Sequence, residues 1–435
     1  MNNSSGALKR GWRLGKLGLS LTGSYLGYQA QNVFLNEQER AARRHAFQTR
    51  SSRRLREELG SLKGAAMKLG QVLSLQTQAL PEEAIAELAG LQMHAPGMHP
   101  TLARAQFKSA LGKFPDEIFA SFEAEPFAAA SLGQVHRAVT RKGDPVAVKI
   151  QYPAIRTAIE NDLKLLRSST LPARLAGRMP ADIIDEIRRG FLEETDYVRE
   201  GRNIELFHRE LARFDYVTVP SVYWDFTKER VLTMSFVEGE AVGIFARRKP
   251  SQTVRDLIGT RLVELYYAQL CRLKTLHADH HPGNFLFRPD GTIGLVDFGC
   301  VKKIDFDAAE LIESCVQRSW RKNDKAAARA LGLIFGPRVP YARARKMLPT
   351  LEAMAGVLFP EGRNADPVVD FGKPHSLKIL SEALKAALRD KVTNAEFAFI
   401  SRAEMGLYSL LHQLKARVNV RETWRKCSPS VTSGH

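Results

Sequence analysis

The order of apolar and polar positions divides the chain into a helical first part, a β-rich middle and a helical last part. Residues 36–95 are rich in helix formers and hold a single proline, which predicts helices. A loop rich in Pro and Gly closes this part, and a short helical connector is predicted to about Phe122. Helices are also predicted over residues 181–211 and over most of the chain after Glu240.

The middle of the chain predicts a small antiparallel sheet. The stretches "SLGQVHRAVT" and "VAVKIQY" flank the turn "RKGDP", with Gly143 in the tight position of a hairpin. Residues 216–239 supply two or three further strands. A small sheet with one helix, followed by a larger helical lobe, is an α+β bilobal plan. The predicted organisation is a helical extension over residues 1–122, a smaller lobe over 123–237 and a helical lobe over 238–435.

The charge distribution and the cysteine spacing indicate which partners and which redox compartment suit the protein. Lys and Arg exceed Asp and Glu by 17, and residues 1–68 carry thirteen of the basic residues against four acidic ones. Such a segment suits an anionic membrane surface or a nucleic acid, although a solvated helical face is an equal alternative. The four cysteines show no paired spacing, which indicates a reduced compartment. No run of about eighteen apolar residues predicts a membrane-spanning helix.

The first candidate for chemistry is a lysine on the predicted hairpin. Lys149 lies in the tetrapeptide "VAVK", which matches the strand that presents a lysine to nucleotide phosphates in kinases. An exposed strand lysine is the alternative. A carboxylate partner is available in the next helical segment, where Asp196, Glu200 and Asn203 recur at a spacing that places them on one helical face. A solvated polar face would give the same pattern.

The second candidate is the pair of motifs "HADHHPGN" and "DFG". Asp279 and Asn284 are separated as in the kinase catalytic loop, and Asp297 opens the DFG motif thirteen residues after Asn284. An amide oxygen and a carboxylate suit Mg²⁺, which leaves Asp279 to orient or deprotonate an acceptor hydroxyl or water. The alternative is a zinc site made from His277, Asp279, His280 and His281. No second histidine cluster supports it, and the histidines are expected to bond the loop backbone.

Together these motifs resemble the UbiB-type atypical kinases, a family tied to coenzyme Q and other isoprenoid-quinone lipids. The resemblance rests on AAAS at 128–131, VAVK, an E-x-D motif, HADHHPGN and DFG, and on KLGQ at 68–71, which matches the K-x-G-Q motif of that family. It covers residues from about 14 to about 420. It implies a protein-kinase-like fold with an N-terminal helical extension that carries K-x-G-Q. His280 replaces the more usual proline, and Ser235 replaces a glutamate at the hinge.

The resemblance also implies roles for individual residues. Lys149 is expected to contact nucleotide phosphates and to pair with Glu200, Asp279 to take the catalytic position, and Asn284 and Asp297 to hold Mg²⁺. Glu194 and Asp196 of E-x-D are expected to face Lys68 and Gln71 of K-x-G-Q. ATP is expected to bind at the altered loop and the hinge, which contain Ala128, Ala129, Ala130, Ser131, Met234 and Phe236.

The function implied is that of an atypical kinase or ATPase that uses ATP and Mg²⁺ in support of isoprenoid-quinone biosynthesis or lipid homeostasis. Partners implied are a nucleotide, an anionic membrane surface or isoprenoid lipid, and quinone-biosynthesis enzymes, whereas nucleic-acid binding has only the charge in its favour. A peripheral place at the inner membrane of a bacterial cytoplasm is expected, with a mitochondrial one as the alternative. The rivals are a small-molecule phosphotransferase with an open acceptor site and a nucleotide-sensing, lipid-binding scaffold without turnover.

Overall fold

Contacts divide the protein into two compact units. A computed structural model describes residues 98–130, 132–157, 160, 181–305, 307–336, 339–362, 366–389 and 395–428. The first unit contains the described residues up to Arg199 together with Tyr223–Ser235, and the second contains Glu200–Val222 and the described residues from Phe236 onward. The predicted boundaries at residues 122 and 237 stay predictions.

The first unit is built on an antiparallel sheet. Its two central strands, Gly133–Thr140 and Pro145–Gln151, pair antiparallel from Gly133 opposite Gln151 to Val139 opposite Pro145. Val146, Val148 and Ile150 are fully buried on one face, where they join a cluster with Phe107 and Phe119. Because side chains alternate along a strand, Ala147, Lys149 and Gln151 lie on the opposite face. The strands are, in sheet order, Phe119–Phe122, Gly133–Thr140, Pro145–Gln151 and Val231–Ser235, with Ala128–Ala130 paired to Gly133–Thr140.

The predicted hairpin is confirmed. Gly143 has φ of 94°, a backbone conformation that suits glycine in a tight turn. The helical connector predicted to Phe122 is wrong at its end, because Phe119–Phe122 is a strand paired to Gly133–Thr140. Phe119 and Phe122, the first and last residues of this strand, pack into the core across an irregularity in the register after Phe119. This burial outweighs local helix propensity. The helices before this strand are Pro100–Leu111 and Pro115–Ile118.

The continuous helix predicted over residues 181–211 is interrupted. The structure has two helices, Ala181–Glu194 and Tyr197–Leu211, with Thr195 and Asp196 between them. The Asp196 carboxylate accepts a hydrogen bond of 3.0 Å from the Arg199 amide, which is the bond of an N-cap residue. Asp196 therefore starts the second helix rather than extending the polar face predicted for it. That helix begins in the first unit and continues into the second.

The second unit is mostly helical, as the sequence predicts. Its helices after residue 240 are Val242–Arg247, Gln252–Ala268, Ala308–Gln317, Asp324–Phe335, Tyr341–Ala344, Leu348–Leu358, Pro374–Arg389, Ala395–Leu414 and Val420–Cys427. Its strands are Val217–Thr218, Glu240–Ala241, Thr275–His277, Phe285–Phe287, Ile293–Leu295, Val301–Lys303, Val369–Asp370 and Arg417–Val418. Within the described ranges, the helices lack the combination of length and apolar character needed to cross a membrane.

The helix Ala395–Leu414 packs an acidic residue against the aromatic core of this unit. Tyr266 and Tyr408 are buried, and the Tyr408 hydroxyl donates to Glu404 Oε1 over 3.4 Å. Burial raises the pKa of the Glu404 carboxyl from 4.5 to about 7. The native protein therefore keeps a proton on Glu404 in a pH range where the unfolded chain has released it.

This difference makes stability depend on pH. Between about pH 4.5 and 7 the native state binds more protons at Glu404 than the unfolded state does, so the free energy of unfolding should fall as pH rises through that window. We expect Glu404→Gln, which has no proton to lose, to gain about 1–3 kcal/mol relative to wild type between pH 5 and 8. Urea unfolding at several pH values measures this. The prediction would be contradicted if the free energy of unfolding changed with pH in the same way for both proteins.

Candidate active site

The lysine of the VAVK motif lies in the first unit. Lys149 is buried, at 5% exposure, on the strand between Val135 and Leu232. Its ammonium nitrogen lies 5.1 Å from the centre of the Tyr197 ring, at the start of the helix Tyr197–Leu211. A buried ammonium requires favourable partners, and an aromatic face is one of them. The alternative of an exposed strand lysine is wrong, while its pairing with Glu200 stays a prediction.

The alanine-rich segment adopts an extended conformation beside this strand pair. Ala128–Ala130 pairs antiparallel with Gly133–Val135, and Ala128 and Ala129 are exposed. Alanine suits this conformation, because an extended strand does not need the positive φ angles that glycine accepts. Ser131 lies outside the described residues. Of the residues expected to bind ATP at a hinge, Met234 is buried opposite Ala147, and Phe236, in the second unit, is partly exposed.

The E-x-D segment is attached to the same sheet. The Gln151 side chain donates a hydrogen bond of 3.0 Å to the carbonyl oxygen of Thr195, the residue between Glu194 and Asp196. Asp196 is exposed, and its carboxylate caps the following helix. Lys68 and Gln71, the expected partners of this motif, lie outside the described residues, as does the predicted extension up to residue 97.

The candidate catalytic loop lies in the second unit. The strand Thr275–His277 pairs antiparallel with Val301–Lys303, which places Asp279 just beyond its end. The Asn284 side-chain nitrogen donates to the Asp279 carbonyl oxygen over 3.1 Å and to its carboxylate oxygen Oδ2 over 3.2 Å. The amide thus closes the loop from Asp279 to Asn284 and fixes both side chains.

The same arrangement suits a metal ion. Phe285–Phe287 pairs with Ile293–Leu295, and the Val296 amide donates to the Asn284 carbonyl over 3.0 Å, so that Asn284 and Asp297 come to the same end of a hairpin. Because the side-chain nitrogen of Asn284 donates to Asp279, the side-chain oxygen of Asn284 is the atom that fits a cation. One amide oxygen and one carboxylate are a donor set that Mg²⁺ accepts together with phosphate oxygens and water.

The central residue of the DFG motif is held by its backbone. The Phe298 amide donates to Glu200 Oε1 over 3.3 Å, and the Asn203 side-chain nitrogen donates to the Phe298 carbonyl over 2.9 Å. The Phe298 ring is fully buried, with its centre 5.1 Å from that of Phe207 and 5.2 Å from that of His277. Glu200 and Asn203 therefore share one face of their helix, as predicted, and that face orients the residue next to Asp297.

The histidines serve the loop in different ways. His277 Nε2 donates to the Asp297 carbonyl over 2.7 Å, and His281 Nδ1 accepts from the Gly283 amide over 3.1 Å, so both bond the backbone as expected. His280 instead is buried and stacks on Phe285, and burial lowers its pKa from 6.5 to about 3. In the part of the chain that the structure describes, no three His, Cys, Asp or Glu side chains converge as the ligands of a zinc site do.

One contact of Asp279 was not predicted. Its Oδ1 lies 3.3 Å from Nη2 of Arg402, on the helix Ala395–Leu414. Arg402 is 123 residues from Asp279 and lies in the stretch "SRAEMG", which matches no motif with a known chemistry. A helical periodicity around Arg402 could have indicated a buried face, but not which loop that face contacts.

Comparison with known proteins identifies the family. Residues 90–331, more than half of the chain, match the family described as the ABC1 atypical kinase-like domain. The chain belongs to this family. The chloroplastic protein ACTIVITY OF BC1 COMPLEX KINASE 7 of Arabidopsis thaliana is 33% identical over 275 residues, 62% of this chain and 39% of that protein. The probable protein kinase UbiB of Azotobacter vinelandii is 35% identical over 250 residues, 56% of this chain and 46% of that protein.

A solved structure supports the kinase-like fold of the ABC1 domain. The erythromycin complex of Rv3197 from Mycobacterium tuberculosis gives a TM-score of 0.60 at 28% identity, covering 90% of this chain and 97% of that one. The predicted resemblance to UbiB-type kinases and the mixed α/β kinase-like fold are confirmed. The chain spans about half the length of the curated relatives that it matches.

The surroundings of Lys149 yield a test of packing. A methyl group on Gly133 would lie 2.3 Å from the Ile150 carbonyl oxygen and 2.8 Å from the Tyr197 hydroxyl oxygen, so strand and helix would have to separate. We expect Gly133→Ala to lower the free energy of unfolding by about 1–3 kcal/mol and to disturb the ring beside Lys149. Chemical denaturation measures the first effect.

Gly190→Ala is the matched control. Gly190 lies in the helix Ala181–Glu194, and an added methyl group there would meet nothing within 4 Å. Because alanine favours helix over glycine, this variant should be neutral or gain up to about 1 kcal/mol. Equal losses of stability in the two variants would contradict the packing argument.

Proposed function

We propose that this protein binds ATP with Mg²⁺ and acts as an atypical kinase or ATPase that supports isoprenoid-quinone biosynthesis or lipid homeostasis at a membrane surface. The observation that carries the catalytic part is the closed loop of Asp279 and Asn284 beside Asp297. Phosphoryl transfer needs an orienting carboxylate, metal ligands and a cation for the phosphates. Membership of the ABC1 family supports the same reaction class.

Each residue has a distinct task in this proposal. Asp279 accepts a hydrogen bond from the acceptor hydroxyl or water and takes its proton as that oxygen bonds to the γ-phosphorus of ATP and the bond from this phosphorus to the leaving ADP breaks. Asn284 and Asp297 hold Mg²⁺, which when bound neutralises charge on the phosphates. Lys149 binds the phosphates that are not transferred, and its burial next to Tyr197 leaves its ammonium few orientations.

The lipid-related part has other support. The motifs resemble those of kinases tied to isoprenoid quinones, and one relative bears the name UbiB. Residues 1–68 carry an excess of basic charge that suits anionic lipid headgroups. A peripheral place at a bacterial inner membrane, and contact there with an isoprenoid lipid or with quinone-biosynthesis enzymes, belong to the proposal.

Turnover of ATP tests the proposal directly. Wild type with Mg²⁺ should release ADP, at a rate that anionic liposomes increase and that a chelator abolishes. Asp297→Asn should reduce turnover by at least about a hundredfold, because a neutral amide replaces a charged metal ligand. Asp297 has φ of 67°, which asparagine also tolerates, so the backbone of the variant should be preserved.

Asp290→Asn is the control for that variant. Asp290 lies in the turn of the hairpin that leads to Asp297, and its carboxylate accepts a hydrogen bond from the Thr292 amide over 2.8 Å. Turnover should be unchanged in this variant. Nucleotide binding by wild type without turnover under any condition would overturn the enzymatic proposal in favour of a nucleotide-sensing scaffold. Release of ADP that depends on one added hydroxyl compound would favour a small-molecule phosphotransferase.

The alanine-rich strand gives a separate prediction. Ala128→Gly should loosen the strand Ala128–Ala130, because glycine loses more conformational freedom on ordering than alanine, by about 0.5–1 kcal/mol. We expect a change in nucleotide affinity or in the preference for ATP over ADP, measured by calorimetry with both nucleotides. Unchanged affinity for both would contradict a role of this strand in nucleotide binding.

A further inference from the structure

The helix Ala395–Leu414 follows the family-matched residues 90–331 and contacts the candidate site along one face. Glu396, Phe399, Arg402 and Gly406 are spaced by three, three and four residues, so they form one stripe along the helix. All four contact the segment between Asp279 and Asp305.

The two ends of this stripe fix the helix against that segment. Glu396 Oε2 accepts a hydrogen bond of 3.0 Å from the Asp305 amide, just after the strand that follows the DFG motif. At the other end, a methyl group on Gly406 would lie 2.5 Å from His280 Cβ and 2.7 Å from its carbonyl oxygen. Glycine therefore permits a backbone approach that any other residue would prevent, directly beside the catalytic loop.

Arg402 lies between these two contacts. Its Nη2 is 3.3 Å from Asp279 Oδ1, while Asp279 Oδ2 accepts from Asn284. The side chains of Arg402 and Asp279 are 17% and 25% exposed, so the pair is shielded from water more than a surface salt bridge is. Each oxygen of the carboxylate thus has a different donor, and together the two donors define the plane of the group.

We propose that Arg402 is a positioning residue for Asp279, and that the helix Ala395–Leu414 is therefore part of the active site. This inference rests on the proposed phosphoryl transfer. A carboxylate that is bonded through one oxygen alone can turn about its side-chain torsions, whereas the second donor holds it in the orientation that an acceptor hydroxyl must meet. Misplacing a reacting group by about 1 Å can cost a hundredfold in rate.

The test compares three substitutions in ATP turnover with Mg²⁺. Arg402→Gln should lower kcat by about ten- to a hundredfold while the affinity for ATP stays within about twofold, since the role proposed for Arg402 is to orient the Asp279 carboxylate that it contacts. Arg402→Lys keeps a cation that can reach one oxygen and should restore part of the loss. Arg421→Gln is the control, because Arg421 is a partly buried arginine that donates to the carbonyl oxygens of Phe359 and Pro360. It should leave kcat unchanged.

A double-mutant cycle separates positioning from a purely structural role. If Arg402 acts through Asp279, then Arg402→Gln should change the residual rate of Asp279→Asn by less than about threefold, because the carboxylate that it orients is already gone. Equal losses in both backgrounds, or a loss that Arg421→Gln reproduces, would overturn the assignment. If the wild type turns over ATP and Arg402→Gln leaves kcat unchanged, the assignment of Arg402 is overturned while the proposed function stands. A wild type without turnover would overturn the proposed function and this assignment with it.

Discussion

The backbone of Phe298 is the constraint on which the position of Asp297 in the candidate site depends. Its amide and its carbonyl are each taken by a side chain of one helix, Glu200 and Asn203, and its ring is buried. The two peptide groups that flank Phe298 are each held by one of these bonds, so neither can rotate without breaking a buried hydrogen bond, which costs a few kcal/mol. The position of Asp297 then follows from its neighbour rather than from contacts of its own carboxylate alone.

The conformation of Asp297 shows what this constraint achieves. With φ of 67°, Asp297 adopts a left-handed conformation that few residues other than glycine accept. Its carboxylate accepts from the Gly299 amide over 3.1 Å, and its carbonyl accepts from His277. Strain of this kind persists only where the surroundings over-determine it, and it is concentrated at functional sites. The hydrogen bonds on both sides of Asp297 hold it in this conformation. This is a physical reason to place the functional site at Asp297.

Local patterns predict this protein well, whereas contacts between distant segments escape them. The hairpin that carries Lys149 follows from alternation and from Gly143, and the helical second unit from periodicity. The interruption at Asp196 was missed because Asp196, Glu200 and Asn203 recur at helical spacing, although the adjacent Thr195, Tyr197 and Val198 are poor helix formers and Asp is a favoured N-cap residue. The strand Phe119–Phe122 was missed because burial against Phe107 decides its conformation. Arg402 could not be found at all, since only tertiary packing brings it to Asp279.

In the first unit, the position that requires a glycine is not in the alanine-rich strand but at Gly133, the first residue of the strand paired with it. At Gly133 the chain passes so close to the Ile150 carbonyl and the Tyr197 hydroxyl that a side chain would not fit. Tyr197 in turn lies beside the ammonium group of Lys149. The absence of a side chain at Gly133 thus lets the helix reach the lysine strand.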